Sequence, residues 1–245
     1  MKEKKTLWLV VHTHWEGAVF KTRDEYLEDG FRIILNGLNL MQQHPDYRFV
    51  LDQVCHVKPF LERYPEQRQI LKQLIAEGRL EIVGGMDIMP DVNMPAGESF
   101  VRQVLYGKRY WREVLGVEVA SGWLLDTFGH HAQMPQLLNL AGRKSYWFFR
   151  GVQSVDTPSE FLWQGIDGSR IPAFWLPYGY SMFHFAPGNK VEFDSWVRQG
   201  FAAVEAFAPD AVDLVGLAGA DVSEALPRLR AYAERLAEDG DERRL

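Results

Sequence analysis

Ser121-Gly-Trp-Leu-Leu-Asp-Thr-Phe-Gly-His-His-Ala-Gln-Met-Pro-Gln136 is the stretch on which the reading of this chain turns. Val119 to Leu125 is short, mostly apolar and bounded by polar residues, which is the length and pattern of a buried strand. After Gly129 the sequence can begin a helix at Pro135 or slightly before it, because proline is tolerated in a first turn. Asp126 is therefore expected at the carboxyl end of a strand. In barrels and open sheets built from alternating strands and helices, such ends face the ligand crevice and carry the chemistry. Trp123, Phe128, His130 and His131 flank the acid with aromatic faces and nitrogen ligands. A plainer reading of the same residue is a helix N-cap, since Asp is among the preferred caps.

Upstream, Leu7 to Val11 is an apolar run suited to a parallel strand buried on both faces, and it delivers His12-Thr-His-Trp-Glu16 at its end. Asp24 to Gln43 carries Leu27, Phe31, Ile34, Leu35, Leu38 and Met41 on one helical stripe. Tyr47 to Gln53 reads as a strand closing on Asp52. Two helical segments follow, the second running from near Pro65 to Gly78. Leu80 to Val83 is a short strand that opens into a loop, Gly84 to Gly97, rich in Gly, Pro and acid and containing Asp87 and Asp91. Long loops at strand ends are usually functional. Glu98 to Leu115 is expected to be helical, with Phe100, Val101, Val104, Leu105, Trp111 and Leu115 facing inward.

Downstream, Ser145 to Phe149 is another buried strand, ending at Arg150. Phe161 to Leu176 breaks the strand-helix alternation with a hairpin centred on Asp167-Gly168. Phe193 to Phe207 is a helix and Val212 to Leu217 a strand, leading through Gly219-Ala-Asp221 to a final helix capped by Ser223. About six or seven strands alternating with helices predict an α/β fold of mostly parallel strands, a barrel or a doubly wound sheet, with an inserted β-hairpin. Residues 1–238 are read as one domain and 239–245 as a polar tail.

Length and composition agree with this. The 245 residues match the roughly 250 of an α/β barrel. Hydrophobic residues at 47% and charged residues at 24% disfavour both disorder and a membrane protein. The net charge of -6 argues against nucleic acid as a partner. One cysteine, Cys55, excludes an internal disulfide and fits a reducing compartment. The amino-terminal apolar run is too short for a signal peptide, so a cytoplasmic location is expected.

The ionisable residues at expected strand ends form a ring: His12, His14 and Glu16 on the first strand, Asp52, Asp87, Asp91 and Asp126 in the middle, Asp221 on the last. In an extended segment, residues two apart point the same way, so His14 with Glu16, or His12 with His14, can share one metal. Zinc takes His nitrogen and carboxylate oxygen readily, with a further ligand from another strand in catalytic sites.

In order and spacing, His12-Thr-His-Trp-Glu16, Gly84-Gly with Met89-Pro-Asp91, Gly97-Glu-Ser99, Gly122-Trp-x-x-Asp-x-Phe-Gly-His130 and Trp163-x-Gly-x-Asp-Gly168 resemble the amino-terminal catalytic domain of family 38 glycoside hydrolases, the retaining α-mannosidases. The resemblance covers most of residues 6 to 230. It implies a seven-stranded (β/α) barrel-like domain with one zinc ion (Zn2+), held by His14, Glu16 and Asp126. It implies Asp126 as the nucleophile that forms a covalent glycosyl intermediate, Asp221 as the acid/base, and a terminal α-mannosidic linkage in a mannose-containing oligosaccharide or glycoside as the substrate. Trp15, Asp52, Asp87, Asp91 and His130 are the expected substrate-binding residues.

The chain departs from the family pattern at Glu16, where the family usually has Asp, at Gly17-Ala-Val19, where it has Arg-Glu-Trp, and at Met86, where Trp is common. The family's fourth zinc ligand, a downstream His, has no counterpart here. The expectation is a piece of a longer multidomain enzyme, binding zinc weakly and turning over poorly by itself. Two other readings stay open: a barrel metal hydrolase of amidohydrolase or deacetylase type using both His12 and His14, and a non-catalytic carbohydrate-binding domain.

Overall fold

The computed structural model describes residues 5–17, 19–152 and 156–226. In chain order these form β1 (Thr6–Val11), α1 (Arg23–Gln43), β2 (Phe49–Gln53), α2 (Val54–Arg63), α3 (Gln67–Ala76), β3 (Leu80–Met86), α4 (Gly97–Tyr110), β4 (Ser121–Leu124), α5 (Met134–Leu140), β5 (Ser145–Phe148), β6 (Glu160–Gln164), β7 (Arg170–Trp175), α6 (Lys190–Phe207) and β8 (Asp213–Ala218). Ser223, the expected cap of a final helix, bonds back to the amide and carbonyl of Ala220, and residues 224–226 are not helical; the rest of that expected helix and the polar tail lie outside the described residues.

The hairpin forms as read, β6 antiparallel to β7 with Gly168 at φ 86° in its turn. Every other ladder is parallel: β1 with β8, β2 with β3, β4 with β5, and β5 with β7. The mostly parallel α/β fold with its inserted hairpin is as expected, whereas among the described residues the ladders make three separate sheets, none of them a closed seven-stranded barrel. One reason is the hairpin itself: β6 occupies the edge of β7 away from β5, so β8 cannot pair there. Beside β3 and just ahead of β4, the buried Arg143 donates from Nε to the Gly84 carbonyl at 3.1 Å and from Nη1 to the Val119 carbonyl, tying the two segments together. Burial pushes its pKa down to about 10.

The interior is nonetheless shared. Val10, Val50, Val83, Trp123, Trp147, Leu176 and Leu217, each on or directly after a different parallel strand, pack in one cluster. The helices cover the outside: α1 to α3 pack over β2 and β3, and α6 packs over β1 and β8. Each large side chain fully buried in this way contributes about 1.5–3 kcal/mol. Thr22 caps α1 in a reciprocal capping box with Glu25.

α4 differs from expectation. It ends in a π-helical turn, Trp111–Leu115, which seats Trp111 at full burial and is closed by Gly116 in the left-handed conformation. The helix docks on β3 along a narrow line through Phe100 and Gly107. Val101 and Leu105 are therefore turned outward, at 46% and 57% exposure, rather than inward. With Leu137 and Leu140 of α5 they line an apolar groove of about 580 Å³. No helix among the described residues is long and apolar enough to cross a membrane.

Candidate active site

β1 and β8 set the first half of the site. Their parallel register continues past the strands to one further bridge, His14 with Asp221, in which the His14 amide donates to the Ala220 carbonyl at 3.1 Å and the Val222 amide to the His14 carbonyl at 2.8 Å. A Cβ at Gly219 would sit 2.2 Å from the His12 carbonyl oxygen, so this close passage requires glycine. His14, Glu16 and Asp221 each present one ligand atom to a common point, all within 4.8 Å of one another. His14 Nε2 faces Glu16 Oε1 at 3.7 Å. The Tyr180 hydroxyl donates to Asp221 Oδ1 at 2.7 Å, and its ring lies 4.8 Å from that of His14.

β4 and β5 set the other half. Asp126 follows β4 by two residues and Arg150 follows β5 by two, and Arg150 Nε donates to Asp126 Oδ1. The guanidinium also lies over the Phe128 ring at 4.6 Å, and Phe128 itself is exposed. Arg150 and Tyr180 did not emerge from the sequence as site residues. The strand-end rule that selected Asp126 applies equally to Arg150, whereas no pattern in the aromatic-rich loop after β7 marks Tyr180.

The two halves share an electrostatic field. Burial lowers the His14 pKa below its usual value, while Asp126 and Asp221 raise it and Arg150 lowers it further. The Glu16 pKa is raised, first by burial and then by Asp221 and Asp126. Two carboxylates and an imidazole within 4.8 Å of one another form a donor set suited to a divalent cation. The Nε2 of His14 is the nitrogen that faces Glu16, which leaves it as the ring atom available to such an ion.

Other expected site residues fall elsewhere. His12 is buried with Nε2 donating to the Tyr180 carbonyl at 2.9 Å, and burial lowers its pKa to about 4. Its Nε2 is taken up by that carbonyl, and it is not part of the close His14, Glu16 and Asp221 group. Trp15, expected as a sugar platform, is 5% exposed and packs in the core. His56 stacks on it at 3.6 Å and its edge meets Gly30 of α1, so no face is left open. Asp52 is 5% exposed, bonded to Gln53 Nε2 at 3.4 Å, and its pKa is pushed up to about 7 by burial. It sits with Asp87 around Cys55, whose thiol is pushed up first by burial and then by both acids. Asp87 is engaged through its backbone, accepting from Cys55 and donating to Gln103. Asp91 lies on the loop that packs under Thr127, within electrostatic reach of His130. His130 is held by Tyr146 and by the Arg150 carbonyl, with both ring nitrogens engaged inside the protein.

A mostly parallel α/β domain whose strand ends gather a histidine, several carboxylates and an arginine belongs to the class that carries its chemistry at that face. The chain belongs to glycosyl hydrolase family 38: residues 4–244 match the model of the family's N-terminal domain. It is 36% identical over 163 residues to an alpha-mannosidase of Saccharomyces cerevisiae, covering 64% of this chain and 14% of that protein. Against alpha-mannosidase 2C1 of Homo sapiens the identity is 28% over 205 residues, with 81% of this chain and 18% of that protein covered. The crystal structure of an alpha-mannosidase from Enterococcus faecalis V583 superposes with a TM-score of 0.91 at 27% identity, covering 98% of this chain and 28% of that one. The chain thus spans less than a third of the length of these relatives.

Proposed function

We propose that this domain serves a zinc-dependent retaining glycoside hydrolase acting on terminal α-mannosidic linkages. The single observation that carries the reading is the meeting of the His14–Glu16–Asp221 group with the Asp126–Arg150 pair at one strand-end face, in a family 38 chain.

Asp126 is the proposed nucleophile. Its carboxylate attacks the anomeric carbon as the bond to the leaving oxygen breaks, and Arg150 fixes its orientation and supplies the opposite charge. Asp221 is the proposed acid/base, giving its proton to the leaving oxygen. It then takes a proton from the water that displaces Asp126, with the Tyr180 hydroxyl orienting it. His14 and Glu16 would hold the metal, with Asp126 the third ligand expected from the family pattern. When bound, zinc would polarise hydroxyls of the sugar ring. Asp91, on the loop beside Thr127, is the remaining candidate for contact with the sugar.

One observation favours a second role for Asp221, because it and not Asp126 completes the 4.8 Å group with His14 and Glu16. A ligand Asp221 and an acid/base Asp221 differ in what their loss does to metal affinity. The reading itself is tested by hydrolysis of an aryl α-mannoside by the zinc-loaded protein, with the first-formed anomer followed by NMR. Retention, and its loss in Asp126→Ala, is expected; inversion, or an active Asp126→Ala, would refute it.

A further inference from the structure

We infer that His130 and Tyr146 are positioning residues: the Tyr146 hydroxyl donates to His130 Nδ1 at 2.6 Å, His130 Nε2–H donates to the Arg150 carbonyl at 2.8 Å, and this relay sets the arginine that orients Asp126. The inference rests on the proposed role of Asp126 and adds to it what holds the Asp126–Arg150 pair in place.

The proton positions follow from the partners. A carbonyl oxygen can only accept, so the Nε2 of His130 must carry the hydrogen. In a neutral imidazole Nδ1 is then bare, and only a donor can satisfy it. Tyr146, fully buried on β5, supplies that donor. Burial lowers the His130 pKa, in keeping with the neutral ring.

Packing holds the ring as firmly as the hydrogen bonds. His130 meets the Phe148 ring edge-on at 4.7 Å and Trp163 of the hairpin at 6.4 Å. Gly151 adopts φ 98°, and a Cβ there would lie 3.1 Å from the His130 ring carbon Cδ2. The inserted hairpin thereby gains a purpose at the site, since Trp163 closes the box around the histidine.

The result is a closed circuit between two loops. Asp126 and His130 lie four residues apart on the loop after β4, Tyr146 and Arg150 four apart along β5 and its loop. One link between them is the charged side-chain pair and the other is the neutral relay to the Arg150 backbone. Fixing the backbone fixes the origin of a long side chain that otherwise has many rotamers. On this proposal both ring nitrogens of His130 are taken up within the relay, leaving neither for a sugar.

The test reads the relay by nitrogen NMR on the intact protein. In the wild type, His130 is expected to show a protonated Nε2 and a bare Nδ1 from pH 6 to 8, and the opposite tautomer would overturn the proposal whatever any variant does. Tyr146→Phe is expected to shift and broaden the Arg150 Nε–H signal and to lower kcat about 10-fold with KM little changed. Trp147→Phe, on the same strand but outside the relay, is expected to leave the signal in place. An unchanged Arg150 signal in folded Tyr146→Phe would overturn the relay. Loss of the signal with no effect on kcat would instead count against the role of Asp126.

Discussion

The Nε of Arg150 donates to Oδ1 of Asp126, and this pair joins the ends of β5 and β4 across the mouth of the site. The acid's side chain is only 12% exposed, and the arginine is the cation that pairs with it. Arg150→Ala is expected to lower kcat about 100-fold or more while KM changes little. Arg150→Lys should recover part of the loss, because it keeps the charge but not the planar fork. Steady-state kinetics on an aryl α-mannoside measures both, and equal rates for all three proteins would remove Arg150 from the mechanism.

Metal affinity separates the roles of the two aspartates. His14→Ala and Glu16→Gln are expected to weaken zinc binding about 10- to 100-fold by calorimetry. If the close grouping of Asp221 with His14 and Glu16 reflects ligation, Asp221→Asn weakens it similarly and Asp126→Asn does so less. The reverse order would restore Asp126 as ligand and Asp221 as a dedicated acid/base.

Asp52 makes stability depend on pH. Its pKa is raised from 3.8 to about 7 in the folded protein by burial. Between those values the folded state holds a proton that the unfolded chain has released, so stability falls as pH rises through this window and levels off above it. Asp52→Asn removes that penalty. Its Tm relative to wild type is expected to be higher at pH 8 than at pH 5, by about 2–4 °C for each kcal/mol regained. A Tm difference independent of pH would contradict the burial argument.

Trp15 sits between two metal-site residues and rests on α1. A Cβ at Gly30 would lie 1.3 Å from its Cη2, an overlap that no small shift relieves. Gly30→Ala is expected to cost about 1–3 kcal/mol and to weaken zinc binding by displacing the His14–Glu16 segment. Thermal melts and calorimetry test both, and an unaffected metal affinity would uncouple the tryptophan from the site.

The elements that the sequence discloses are those with a local cause. Asp126 stands at a strand end because an apolar run stops there, and the Asp167-Gly168 turn makes a hairpin wherever it is placed. What it conceals depends on distant partners. Nothing near Trp15 tells of His56 stacking on it, and nothing near Asp52 tells that it is walled in. The outward turn of Val101 and Leu105 follows from the close approach of Gly107 to β3, which helical periodicity cannot register. Nothing in the sequence around Arg143 tells that it is buried and joins the Gly84 and Val119 carbonyls. His130 looked like a sugar ligand because its sequence neighbours are an acid and aromatics, while Tyr146, which occupies it, lies on the next strand.

The proposed mechanism stands on Asp126 forming the covalent bond to the sugar. The most direct measurement is to inactivate the zinc-loaded protein with a fluorinated mannosyl fluoride, digest it, and locate the label by mass spectrometry. A single mannosyl ester on Asp126, absent in Asp126→Asn, is expected. A label on Glu16 or Asp221 in its place would contradict it.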